Sequence, residues 1–187
     1  MNVKSNPKFN GVFEIVTQPI MDNRGCFYRC YDEQLLEKYR IKNRWVQENH
    51  AYTKKEGVIR GFHFQFPPYS EAKMVRVISG EIYDVFIDLR KDSPTFGKWG
   101  GVKLSKSNQK ILLIPKGFAH AYCTLKPNTE VVYKVDAPYN PESEGGIRWD
   151  DRFLKVDWPI KNPILSEKDK KLDTFQSFVE KHNYLNV

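Results

Sequence analysis

The stretch from residue 73 to 90, KMVRVISGEIYDVFIDLR, constrains the fold more than any other part of this chain. Val75 and Val77 precede Ser79-Gly80, and Tyr83, Val85, Ile87 and Leu89 take alternate positions after it. A period of two places side chains on one face of a pleated strand, and the Ser-Gly step supplies a turn, so the segment predicts a β-hairpin. Short β-branched and aromatic runs broken by Gly, Pro, Asn or Asp continue from Phe13 to about Trp158. Further strands are expected at 101–105, 110–114, 120–125 and 130–136, with turns such as Pro115-Lys116-Gly117 and Pro127-Asn128 between them. Many short antiparallel strands imply a sandwich or barrel. Helical signals are confined to two places. Residues 32–39 read as a short helix capped by Asp32. A second helix is expected after Ser166, where Ser166-Glu167-Lys168-Asp169 resembles a capping box and Leu172, Phe175 and Val179 recur at helical spacing.

No internal repeat, low-complexity tract or Gly/Ser linker divides the 187 residues, so one domain over 1–187 is expected. Residues 1–20 lack the apolar run of a signal peptide, and no stretch approaches the roughly 20 apolar residues that span a bilayer, which points to a cytoplasmic protein without a membrane partner. Cys26, Cys30 and Cys123 form an odd set without C-x-x-C spacing; they are expected to be reduced packing residues rather than disulfide or zinc ligands. The net charge of +7 rewards an anionic ligand. Its Lys and Arg residues are scattered rather than gathered into a basic arm, so a phosphate-bearing small molecule is favoured over nucleic acid.

Four histidines are candidates for chemistry, and His182, in the polar C-terminal tail, is expected to be solvated. In GVIRGFHFQ, from 57, strand alternation puts Gly61, His63 and Gln65 on one face and Arg60, Phe62 and Phe64 on the other, unless a bulge at Gly61 re-aims Arg60. His120 follows the Pro115-Lys116-Gly117 turn. The two segments resemble the two cupin motifs, but Gln65 stands where the first motif's second metal-binding His would be. Two histidines fall short of the three or four ligands a transition metal wants, so no metal is expected. A pocket with two histidines, tyrosines and basic groups suits proton transfer beside a carbonyl. Spacing alone does not separate that role from packing, for His63 or for Tyr133.

A set of motifs in fixed order narrows the choice: DNRGCF from 22, QENH from 47, GVIRGFHFQFPP from 57, KMVRVISGEIYDVFIDLRKDSPTFGKW from 73, IPKGFAHAY from 114, VVYKV from 131, YNPESEGGIRWDD from 139 and NPILSEKD from 162. With these the chain resembles the dTDP-4-dehydrorhamnose 3,5-epimerase family over nearly its whole length. The resemblance implies an all-β fold, a cupin-type antiparallel β-barrel (jelly roll) with short flanking helices. It implies a homodimer that uses no cofactor on a nucleotide-diphosphate sugar. It further implies His63 as general base with Asp169 as its partner, although Asp169 also completes the Ser166 capping box. Tyr133 matches the proton donor on the opposite sugar face, and Lys73 the cation beside the C4 oxygen. Arg24 and Arg60 match contacts to the substrate anion, and Gln47, Asn49, His120, Tyr139, Glu144 and Lys168 match further substrate contacts. Arg29 stands near the nucleotide, where many relatives carry Glu. The expected reaction inverts C3, C5 or both of a 4-keto-6-deoxysugar. A 3,4-ketoisomerase and an inactive sugar-nucleotide binding module are the alternatives.

Overall fold

The computed structural model describes residues 1–187. Thirteen strands alternate with few helical turns: β1 (Asn2–Ser5), β2 (Phe13–Val16), β3 (Ile20–Asp22), β4 (Gly25–Phe27), β5 (Gln47–Thr53), β6 (Ile59–Gln65), β7 (Lys73–Ser79), β8 (Glu81–Asp88), β9 (Trp99–Ser105), β10 (Lys110–Ile114), β11 (Phe118–Thr124), β12 (Thr129–Val135) and β13 (Glu144–Gly146). Helix α1 (Glu33–Glu37) is capped by the Asp32 carboxylate, which accepts from the Leu35 N–H, as the sequence indicates. The strands form a six-stranded sheet in the order β1-β2-β10-β7-β12-β5 and a five-stranded sheet in the order β13-β6-β11-β8-β9, while β3 and β4 pair only with each other. This is the expected antiparallel jelly roll.

Between the two large sheets lies a core that includes Val75 and Val77 from β7, Ile82 and Phe86 from β8, Leu112 from β10, Phe118 from β11 and Val131 from β12. A second core covers the back of the five-stranded sheet, where Phe62, Phe64, Val85, Ile87 and Leu89 meet Phe175, Phe178 and Leu185 of the C-terminal region. Every residue of β11 is therefore buried. A smaller cluster, with Ile15, Leu36, Met74 and Ile111, closes the back of the six-stranded sheet.

Residues 73–90 depart from the sequence reading. β7 and β8 are strands, but they do not pair: β7 lies between β10 and β12, and β8 between β11 and β9. Val75 and Val77 face the core between the sheets, whereas Val85, Ile87 and Leu89 face the core behind the second sheet, so the two apolar stripes serve different layers. Gly80, at φ +80°, carries the chain from one sheet to the other; a side chain there would run into Thr129. The second helix also differs. Residues 169–171 make one 3-10 turn, and helix α2 (Phe175–His182) starts later, capped by Thr174, whose hydroxyl accepts from the Ser177 N–H. Ser166 does accept from the Asp169 N–H, but the Asp169 carboxylate is engaged elsewhere and the capping box is not completed. Cys123 is buried and Cys30 half-buried, but Cys26 is exposed on the β3–β4 hairpin, so it is not a packing residue within the chain. No helix is long and apolar enough to cross a membrane.

Candidate active site

A cavity of about 510 Å³ opens between the two large sheets at one end of the core, within the range that holds a small organic ligand. One wall comes from the six-stranded sheet, with Lys73 on β7 and Tyr133 on β12; the facing wall comes from the five-stranded sheet, with His63 and Arg60 on β6 and His120 on β11. Ser166, Lys168 and Asp169 close the side.

Arg60 shares the cavity with His63 because β6 carries a bulge. His63 pairs with His120 and Arg60 with Tyr122, so Gly61 and Phe62 together oppose the single residue Ala121. The extra residue puts Arg60 in the same cavity as His63 while Phe62 and Phe64 stay in the rear core. Gly61 is required at this point: its φ is +110°, and a Cβ would lie 2.5 Å from the His120 carbonyl oxygen. The His63 Nε2 lies 2.7 Å from Asp169 Oδ1, leaving Nδ1 as the ring nitrogen free to take a proton. Burial pushes the Asp169 carboxyl up, but hydrogen bonding to His63 and Ser166 outweighs it and holds the group below the usual carboxylate range. The partner of His63 is thus an anion at neutral pH.

Lys73 is nearly buried, ion-paired with Glu71, and its ammonium lies 5.7 Å from the centre of the Tyr133 ring. Burial and the negative charge of Glu71 push the Tyr133 phenol above its ordinary value, against the opposing pull of Arg60, so it stays a proton donor. His120 contacts both oxygens of Asp84, at 2.9 and 3.0 Å. Full burial drives the Asp84 carboxyl up, with His120 and Lys73 opposing. Asp84 was not singled out by its motif; a carboxylate between Ile82 and Phe86, both facing the inter-sheet core, was the available signal. Tyr122 completes the wall, and burial pushes its phenol up to about 12.

The remaining sequence candidates divide into a rim and an outlying pair. Lys168 donates to Glu144 at 2.6 Å, Tyr139 donates its hydroxyl to the same carboxylate oxygen at 2.9 Å, and Gln47 accepts from the Tyr139 N–H. Asn49 lies opposite Tyr133 in the β5–β12 register. Arg24 and Arg29 are not brought to this cavity. Arg24 sits in the β3–β4 turn, paired with Asp22 and largely exposed, and Arg29 pairs with Asp32 at the start of α1. Gln65 is buried and fully used: its amide donates to the Tyr69 and Pro138 carbonyls and to Glu71, and its oxygen accepts from the Asn140 N–H. It ties loops together at the position where a cupin metal site would need a ligand. His50 pairs with Glu130 at the surface, and His182 is exposed, though its ring packs on Phe66.

Known proteins resemble the chain over most of its length. The family model described as dTDP-4-dehydrorhamnose 3,5-epimerase matches residues 6–177. The chain belongs to the dTDP-4-dehydrorhamnose 3,5-epimerase family. A relative of that name from Shigella flexneri is 46% identical over 79% of this chain and 82% of its own. The Bacillus anthracis enzyme, whose crystal structure holds TDP and pyrophosphate, superposes with a TM-score of 0.90 at 42% identity, covering 93% of this chain and 99% of that one. A Legionella pneumophila 3,5-epimerase in complex with dTDP-4-keto-L-rhamnose gives 0.91 at 34% identity, over 100% and 98% of the two chains. Like these members of the family, the chain is an isomerase: an epimerase of a nucleotide-linked 4-keto-6-deoxysugar.

Proposed function

We propose that residues 1–187 act as one catalytic domain that inverts C3 and C5 of a dTDP-linked 4-keto-6-deoxyhexose, with His63 and Tyr133 handling protons on opposite faces of the sugar. The observation that carries this reading is that the two groups project into one cavity from different sheets. A ring held between the sheets meets a base on one side and an acid on the other. His63 takes the acidic proton beside the C4 ketone, and the electron pair moves onto the C4 oxygen. Asp169 stabilises the imidazolium that forms, and Lys73 stabilises the enolate. Tyr133 then delivers its phenolic proton to the opposite face, and solvent resets both groups. Arg60 and Lys168 supply positive charge where the diphosphate leaves the cavity.

The reading needs no metal, because Gln65 spends its amide on loop contacts instead of joining His63 and His120 as a ligand, and no cofactor, because the C4 ketone itself acidifies the proton that His63 takes. It places the enzyme in the cytoplasm, with its nucleotide-sugar substrate. It also calls for a homodimer. Ile20, Met21 and Phe27 on the β3–β4 hairpin are 69%, 68% and 69% exposed, a combination that a second copy would bury. Arg24 and Arg29, remote from their own cavity, then serve the partner subunit's substrate.

Incubation with dTDP-4-keto-6-deoxyglucose in deuterium oxide, followed by proton NMR, tests the reaction. Deuterium at inverted C3 and C5, at a rate indifferent to chelator, is expected. Inversion at C3 alone would narrow the regiochemistry. Migration of the ketone without inversion would replace the reading with a ketoisomerase, absence of exchange would leave a binding module, and loss of turnover on chelation would overturn the metal-free mechanism.

A further inference from the structure

Glu71 lies just before β7, outside the motifs that mark the other candidates. Its side chain is only 11% exposed, and so is nearly as buried as that of Lys73, at 10%. One carboxylate oxygen is paired with the Lys73 ammonium, and the other accepts from the Gln65 amide at 3.3 Å. Lys73 in turn lies over the Tyr133 ring. A buried ion pair often adds little stability over apolar packing of the same volume. This carboxylate instead joins the proposed enolate-binding cation to Gln65, and through Gln65 to the Pro138–Asn140 loop that carries Tyr139.

We propose that Glu71 is a positioning residue for the reaction: its carboxylate holds the Lys73 ammonium against the cavity wall and keeps a negative charge beside the Tyr133 phenol. The inference rests on the acid and cation roles given above to Tyr133 and Lys73. Two donors, the Lys73 ammonium and the Gln65 amide, meet at this side chain, and a carboxylate accepts both without offering a competing donor. Other charged groups facing the phenol do not duplicate it. Arg60, from β6, pulls the phenol in the opposite direction, and Glu144, from β13, acts more weakly than Glu71. Asp84, on β8, is occupied with His120, itself on β11, and Asp169 with His63. Burial is the largest influence raising the phenol, and Glu71 is the next. Without its charge the phenol ionises more readily, and a tyrosinate cannot donate.

The test reads Tyr133 without turnover. Tyrosinate absorbance is titrated in the wild type and in Tyr133→Phe, and again in Glu71→Gln and Glu71→Gln/Tyr133→Phe; each difference isolates the Tyr133 phenol. The midpoint should fall to lower pH when Glu71 is neutralised, and the alkaline limb of kcat for the keto-sugar should move the same way while KM changes little. Glu71→Asp, which keeps the charge, should leave both near their wild-type positions and covers the case in which the glutamine variant is poorly folded. A Tyr133 midpoint that does not move in Glu71→Gln, or that moves equally in Glu71→Asp, overturns the proposal. A wild-type enzyme that fails to epimerise while the midpoint shifts as expected would instead count against the catalytic reading.

Discussion

Lys73 places a fixed positive charge in a cavity wall that also holds Tyr133, and it does so nearly shielded from water. A charge in such a place acts most strongly on negative charge that appears during the reaction, which in the proposed mechanism is the enolate. Lys73→Ala should therefore lower kcat by roughly 10²–10³-fold, the loss seen when one oxyanion donor is removed, with KM changed little. Steady-state kinetics on the folded variant decide it; normal kcat with a raised KM would make Lys73 a ground-state contact. Asp169 makes a second residue-scale prediction. Its carboxyl lies below the ordinary range in the folded protein, so the unfolded chain binds its proton first as pH falls. The stability it contributes is present above the unfolded carboxyl's pKa and disappears as pH drops through the folded one. Thermal melts in acid should show a smaller acid-induced loss for Asp169→Asn than for the wild type; equal losses would deny the linkage.

At the scale of elements, the bulge in β6 decides which side chains share the cavity. Gly61→Ala forces a Cβ against the His120 carbonyl and Ala121 at a φ that L residues avoid, and should destabilise by roughly 1–3 kcal/mol. Because the same movement displaces His63 and Arg60, turnover should fall further than the melt alone explains, whereas wild-type activity at full stability would show that the bulge is not needed. The alternation of Gly61, His63 and Gln65 was legible in the sequence, and so was the condition under which Arg60 would join them. That β7 and β8 belong to different sheets was not legible, because a period of two states which residues share a face but not which layer that face meets. Helix α2 began later than its apolar spacing indicated, since Ser166 and Asp169 were drawn into the site. His63, Lys73, Tyr133 and Asp169 were named from their motifs, but those motifs lie far apart in the chain. Glu71 lies outside the motifs and Asp84 inside one that does not single it out, and only the fold reveals that they contact Lys73 and His120.

For the whole molecule, the β3–β4 hairpin and the two-sheet cavity are the parts that local structure leaves to be explained. If the exposed hairpin completes the partner subunit's site, Ile20→Ser/Phe27→Ser should weaken the dimer in sedimentation velocity, and Arg24→Ala should raise KM with little change in kcat. A monomeric wild type, or an Arg24→Ala enzyme with unaltered KM, would contradict that arrangement. The central claim is that facing sheets supply a base and an acid to opposite faces of one sugar ring. Proton NMR of the His63→Ala and Tyr133→Phe variants, each incubated with the keto-sugar in deuterium oxide, tests it most directly. His63→Ala should show neither exchange nor inversion, because no enolate forms. Tyr133→Phe should still exchange the proton beside the ketone through His63 but return deuterium to the same face, giving label without inversion. Full epimerisation by Tyr133→Phe, or exchange that persists in His63→Ala, would contradict the account.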